Sequence, residues 1–339
     1  MKFLLLPFSL LYGLITWLRN RCYDLKIFKS YHSKLKTIVI GNLQVRGSGK
    51  TPMTAYLYWM LSSKYNTAVL SRGYGRKTKG LFVADAQSNA ETIGDEPLWY
   101  HQTLPGAQVV VSESREKGLK YLENTAAELV LLDDAFQHRA VTCGLQILLS
   151  DYKKPYYKDF PMPYGRLREF SSGAKRADII IISKCPENMG LQEKVDFIKA
   201  IKANGKQDLF FSTLQIGNPR KLKGNLSIDK RPFKKIIALS AIANPDSFTE
   251  ICQRISKNCE TISFKDHHHY SEDDMKQILT KLDDDTIVFT TEKDAVKLSA
   301  ASIHNLIPLN QFYILPVQVQ FLFDDESRFD NLIKQKLDA

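Results

Sequence analysis

Residues 38–51 constrain the fold more than any other stretch. Three apolar residues, Ile38-Val39-Ile40, run into the glycine-rich turn Gly47-Ser48-Gly49-Lys50-Thr51, and Pro52 opens a helical pattern. A strand that feeds a glycine loop and then a helix has the form of a Walker A phosphate loop, and it belongs in a parallel sheet. In such a loop the backbone N–H groups of residues 44–51 wrap phosphate oxygens: Gln44, Val45, Arg46, Gly47, Ser48, Gly49, Lys50 and Thr51. The helix adds its positive end, Lys50 reaches the β/γ oxygens and the Thr51 hydroxyl binds Mg²⁺. Gln44 stands where the strict pattern has its first glycine. ATP with Mg²⁺ is therefore the expected cofactor pair.

A phosphate loop needs an acid at the end of a neighbouring strand to hold the metal, and Leu129-Val130-Leu131-Leu132-Asp133-Asp134 has that form. Alternation along an extended chain points the two carboxylates in different directions, so one can face the metal while the other orients water or phosphate. Gly94-Asp95-Glu96-Pro97 supplies a carboxylate ahead of a helix, where a proton acceptor and an ordinary helix cap look alike. Ser71-Arg72-Gly73-Tyr74-Gly75-Arg76 sets two cations and an aromatic beside glycines that allow close backbone approach. Arg72, Tyr74, Arg76 and Arg115 are the substrate-binding candidates, as clamps for anionic oxygens.

Short apolar runs recur at 67–70, 108–111, 129–132, 145–149 and 179–182, spaced widely enough for crossover helices. The expectation is an α/β chain: a P-loop NTPase-like, doubly wound, mainly parallel sheet with a second, smaller α/β lobe. Runs at 236–239, 261–264, 287–290 and 312–315 build that lobe. We place a helical segment at 1–35, the P-loop core at 36–205, a connector at 206–235 and the second lobe at 236–339. Its strand at 261–264 leads into Asp266-His267-His268-His269, which offers one histidine for proton transfer more readily than a zinc site.

The five cysteines include no CxxC pair, which fits a reducing compartment. Residues 1–50 carry nine Lys or Arg against Asp24 alone, so most of the formal charge of +10 sits at one end. There it accompanies an apolar run at 3–18 that is short for a membrane span, which takes about 20 apolar residues. An interfacial helix with Arg19, Arg21 and Lys26 against anionic headgroups explains both halves of the pattern, and a helix packed on the protein's own core is the other reading.

Taken in order, these motifs, with Ala135-Phe136-Gln137-His138-Arg139 after the paired acids and Thr291-Glu292-Lys293-Asp294, resemble the tetraacyldisaccharide 4′-kinase (lipid A 4′-kinase) family over nearly the whole chain. The resemblance implies transfer of the ATP γ-phosphate to the 4′-hydroxyl of a tetraacylated glucosamine disaccharide 1-phosphate, a step of lipid A biosynthesis. Its setting would be the cytoplasmic face of a bacterial inner membrane. It implies an acylated lipid substrate and a membrane surface as partners, with no nucleic acid and no obligate protein partner. Asp95 and His267 would form a catalytic dyad with Lys50 also catalytic; Thr51, Asp134 and Glu169 would hold Mg²⁺, and Asp133 and Arg168 would organise the phosphates. Arg46 and Ala135 stand where the family commonly has glycine. The rival reading is a P-loop GTPase or ATPase switch; the N/T-K-x-D guanine motif it calls for is not matched by Ser183-Lys184-Cys185-Pro186 or by Glu292-Lys293-Asp294.

Overall fold

The computed structural model describes residues 2–45, 47–201, 207–222, 234–242, 245–266, 268–299, 303, 305–308 and 310–338. Its strands are β1 (Tyr31–His32), β2 (Lys36–Asn42), β3 (Thr67–Ser71), β4 (Phe82–Val83), β5 (Gln108–Val111), β6 (Leu129–Asp133), β7 (Val141–Thr142) and β8 (Leu145–Asp151). They continue with β9 (Ile179–Ser183), β10 (Asp208–Ile216), β11 (Arg220–Lys221), β12 (Lys235–Ser240), β13 (Cys259–Ser263), β14 (Thr286–Thr290), β15 (Phe312–Ile314) and β16 (Val317–Phe321). The helices are α1 (Leu6–Asp24), α2 (Lys50–Leu61), α3 (Ala90–Ile93), α4 (Asp95–Thr103), α5 (Arg115–Leu122), α6 (Leu191–Ile201), α7 (Pro245–Ile255), α8 (Glu272–Leu279), α9 (Glu292–Leu298) and α10 (Glu326–Asp338).

Nine strands form the large sheet in the order β16-β10-β9-β8-β2-β6-β3-β5-β4. All neighbours from β10 to β5 run parallel, and β16 and β4 close the edges antiparallel. The interior strands are apolar throughout because helices cover both faces. One face packs Ile38, Ile40, Leu129 and Leu131 against Met53, Leu57 and Leu61 of α2, whose spacing of four keeps them on one side of that helix. The other packs Val39, Val130 and Leu132 against Leu119 and Leu122 of α5.

Five strands, β11-β15-β14-β12-β13, form the second sheet, parallel except for β11. The lobes do not divide where the sequence places them. The segment 206–235, expected as a connector, contributes β10 to the large sheet, and residues 317–338, expected in the second lobe, return to the first as β16 and α10. Phe321, Phe329, Ile333 and Leu337 complete the same core that holds α2. The second lobe is thus an insertion between two adjacent strands of the first.

Among the described helices, α1 with its leading turn (Phe3–Asp24) is long and apolar enough, by length and composition, to cross a membrane. Its packing inverts the usual arrangement. Ser9, Gly13, Thr16 and Asn20 make the buried stripe, while Phe8, Leu11, Ile15 and Leu18 are exposed. Ser9 donates to the Pro161 carbonyl, Tyr12 to the Arg168 carbonyl at 3.0 Å, and Asn20 to Glu169 at 2.6 Å. A Cβ on Gly13 would lie 2.5 Å from the Phe170 ring, so only glycine lets the helix seat this closely.

Candidate active site

The phosphate loop leaves the sheet at β2, beside both β6 and β8. Gly41 allows the close approach of the turn after β6, because a Cβ there would meet Phe136 Cβ at 2.6 Å. Gly49, at φ +84°, turns the chain into α2, whose first-turn N–H groups have no intrahelical acceptor. The loop is braced from outside: Asn42 Nδ2 donates to Ser48 Oγ at 2.9 Å, Ser183 Oγ to the Ser48 carbonyl at 2.8 Å, and Lys184 Nζ to the Gly47 carbonyl at 2.6 Å. Gln44 is accommodated where glycine was expected because its amide points to Asp159 at 2.7 Å. The Val45 N–H is committed to the Arg166 carbonyl at 2.9 Å, so this residue, expected to wrap phosphate, braces the neighbouring loop instead. Arg46 lies outside the described residues.

Parallel register sets Asp133 opposite Ile40, so the acidic end of β6 stands next to the loop. Asp134 turns through φ +47° and accepts from Arg168 Nη1 at 2.8 Å, with Lys50 Nζ 3.6 Å from the same oxygen. Burial pushes Asp134 upward, but Lys50 and Arg168 outweigh it and hold its pKa below the ordinary aspartate value. Asp133 differs: it is 1% exposed, and neither carboxylate oxygen has a hydrogen-bond partner among the described residues. Burial, with Glu96 and Asp134 as like charges, pushes its pKa up to about 7 against the pull of Lys50 and Lys293. A buried, unpartnered carboxylate beside a phosphate loop is a place where a cation fits.

The two glycine motifs read separately in the sequence are one unit. A Cβ on Gly94 would lie 2.9 Å from the Tyr74 carbonyl, and one on Gly73 would lie 2.7 Å from the Ile93 carbonyl. Arg72 and Tyr74 are exposed there, Tyr74 at 72%. Arg76 is held otherwise, by Glu113 and the Gly80 carbonyl, with Phe82 under its guanidinium. Arg115 is fully buried and donates to the carbonyls of Ser112 at 2.8 Å and Asp133 at 2.9 Å. Burial lowers its pKa to about 10. Expected as substrate clamps, Arg76 and Arg115 are instead loop and strand supports.

Asp95 opens α4, is buried, and lies 3.6 Å from Lys297 of α9. Glu96 pairs with Lys293, one turn earlier in α9. That ammonium holds Glu96 below the ordinary glutamate range. Burial opposes the charge on Lys293, but Glu96, aided by Asp133 and Asp266, outweighs it and raises its pKa. His267, expected beside Asp95, lies outside the described residues. Glu169, expected at the metal, has its carboxylate taken by Arg176 at 2.7 and 2.9 Å, Gln137 at 3.2 Å and Asn20 at 2.6 Å. To reach a metal it must surrender one of these bonds.

The structure thus gathers Lys50, Thr51, Asp133, Asp134 and Arg168 around one loop, with Asp95 at the junction of the lobes. Sequence reasoning missed Lys184, Lys293 and Lys297 as parts of this neighbourhood. The signal for the last two was their spacing of four in one short helix, with Asp294 between them.

The profile of the LpxK family, tetraacyldisaccharide-1-P 4′-kinase, matches residues 1–338. This chain belongs to that family. Tetraacyldisaccharide 4′-kinases of Flavobacterium johnsoniae and Flavobacterium psychrophilum are 39% and 40% identical to it, over 98% and 97% of this chain and 96% and 95% of theirs. The crystal structure of LpxK from Aquifex aeolicus in complex with ATP superposes with a TM-score of 0.78 at 29% identity, covering 99% of both chains. The LpxK fold therefore includes the P-loop lobe and the inserted lobe seen here. Membership also removes the switch reading, and Pro186, which stands at the Asp position of the guanine motif, gives a guanine base no carboxylate to pair with.

Proposed function

We propose that this chain transfers the γ-phosphate of ATP to the 4′-hydroxyl of a tetraacylated glucosamine disaccharide 1-phosphate. The observation that carries the reading is the pairing of a braced phosphate loop with Asp133, a buried carboxylate that has no hydrogen-bond partner among the described residues. Thr51 and Asp134 would hold Mg²⁺, with Glu169 joining once it releases a bond. The described residues hold no cluster of three or more metal-binding side chains, which suits an ion that takes much of its coordination from phosphates and water. Bound Mg²⁺·ATP supplies the phosphoryl group and neutralises its developing charge. Lys50 and Arg168 add positive charge where the phosphates lie, and the loop N–H groups fix their register. Asp95 accepts the hydroxyl proton, with His267 as its partner.

Membrane association is supported by α1. A helix that turns its small and polar stripe to the protein and its leucines outward is built for an apolar environment on its free side. With the exposed Arg21 at its end, while Arg19 turns inward to Asn20 and Gln137, it suits the anionic cytoplasmic surface of the inner membrane, where an acylated acceptor resides. Leu11→Glu with Ile15→Glu is expected to abolish sedimentation with anionic vesicles, and retention by the variant would remove this part of the reading.

The deciding experiment is transfer of labelled γ-phosphate from ATP to the disaccharide 1-phosphate in detergent, with and without Mg²⁺, for the wild type and Asp95→Ala. Labelled lipid that requires both Mg²⁺ and Asp95 supports the proposal. ATP hydrolysis without lipid labelling overturns it.

A further inference from the structure

Lys297 is a buried lysine that the reaction as described does not use. It is 6% exposed, and lysine is almost never this buried without partners. Its ammonium has three protons and meets three acceptors: Asp294 Oδ1 at 3.3 Å, the Ala241 carbonyl at 3.4 Å and Asp95 Oδ2 at 3.6 Å. The first two belong to the inserted lobe. The third belongs to the P-loop lobe.

Asp294 is a fixed post for this cation. It is fully buried, and its other oxygen accepts from the Ala241 N–H at 3.0 Å and from Thr291 Oγ1 at 2.7 Å. Lys293, four residues before Lys297, engages Glu96, the neighbour of Asp95. Two lysines on one face of α9 thus match two successive acids at the start of α4. Val296, between them in sequence, packs into the core of the P-loop lobe. The contact between lobes is specific in charge and register.

We infer that Lys297 is a positioning residue: it reaches from the inserted lobe to hold the Asp95 carboxylate ionised and in one orientation, so that the base is ready when α9 is docked on α4. The inference rests on the reading of Asp95 as proton acceptor. Among the described residues, Lys297 of α9 faces Asp95 across this contact, with Asp294 behind Lys297 and with Lys293 paired to Glu96, the neighbour of Asp95. Withdrawal of α9 takes both cations away together and leaves the carboxylate freer to turn and easier to protonate.

The test compares Lys297→Met and Lys297→Arg with the wild type in the lipid phosphorylation assay across pH, with each also made in an Asp95→Asn background. Lys297→Met is expected to lower kcat about 100-fold, within the range for a positioned acid–base group, while KM for ATP and lipid moves less than about threefold. The acidic limb of kcat against pH should move upward, and Lys297→Arg should recover at least about tenfold with the limb restored. In the Asp95→Asn background, Lys297→Met should cost little more, because a residue that acts through Asp95 has nothing left to position. A full additional loss there, or a wild-type pH limb in Lys297→Met, overturns the inference and leaves Lys297 as an interlobe tie. Should Lys297→Met not fold, Lys297→Gln, which also lacks the cation, gives the same decision in the two backgrounds. Full activity of Asp95→Asn alone would instead reject Asp95 as the base.

Discussion

Replacing Asp133 with asparagine should stabilise the nucleotide-free protein in a way that depends on pH. The carboxyl is 1% exposed, and its pKa rises from 3.8 to about 7. The folded state therefore keeps a proton that the unfolded chain has already lost between those two values. Stability from this source is fully present below the unfolded value and disappears as pH climbs through the folded one. At about 1.4 kcal/mol per unit, ionising Asp133 in the folded protein costs about 4 kcal/mol in all. Roughly 2 kcal/mol of that accrues between about pH 5 and pH 7. An asparagine does not titrate, so whatever its own burial costs is the same at both pH values. The stability gained by Asp133→Asn over the wild type should thus be larger above pH 7 than at about pH 5 by that amount, on the order of 5 °C in Tm. Thermal unfolding of both proteins at the two pH values measures it directly. Mg²⁺ with ATP should narrow the difference by stabilising the wild type more than the variant. An equal Tm difference at both pH values would refute the account of Asp133 as a carboxylate held uncompensated for a cation.

Lys50→Ala should lower kcat at least as much as Asp95→Ala in the same phosphotransfer assay, because a loose phosphoryl transition state depends more on charge neutralisation than on the base. Gly13→Val should cost about 1–3 kcal/mol in denaturant unfolding, since the added carbons meet the Phe170 ring that a bare Cα just clears. Glu169→Gln leaves Arg176 without its anionic partner in a site where that arginine is mostly buried. A loss of about 3–5 kcal/mol is expected, read as a lower midpoint of unfolding.

The phosphate loop and the strand ending in Asp133-Asp134 were legible because each is a local pattern whose neighbours in sequence are also its neighbours in space. The strands of both lobes were legible for the same reason. What was not legible depends on partners far along the chain. Arg115 reads as a surface cation until the sheet places the Asp133 carbonyl against it. Glu169 is expected at the metal only through the family resemblance, and its carboxylate is bonded instead to Asn20 and Arg176. The lobe boundary failed because β10 and β16 pair across a hundred residues, a register that no window of sequence displays. Helix α1 shows its apolar character in sequence but not the sense of its burial, which is set by Gly13 against Phe170.

The return of the chain to its first lobe has a consequence for how this protein is made. The strands from β2 to β10 leave the ribosome first, yet their sheet lacks its outer edge and one face of its core until residues 317–338 appear. The inserted lobe is contiguous, so it completes itself while the older part of the chain is still waiting. Phe321, Phe329, Ile333 and Leu337 close the larger structure only after the inserted lobe has been made. A chain stopped just before β16 would carry every residue assigned to phosphate, metal and proton transfer and still leave Phe210 and Leu57 uncovered. Such a product is a substrate for proteases and chaperones.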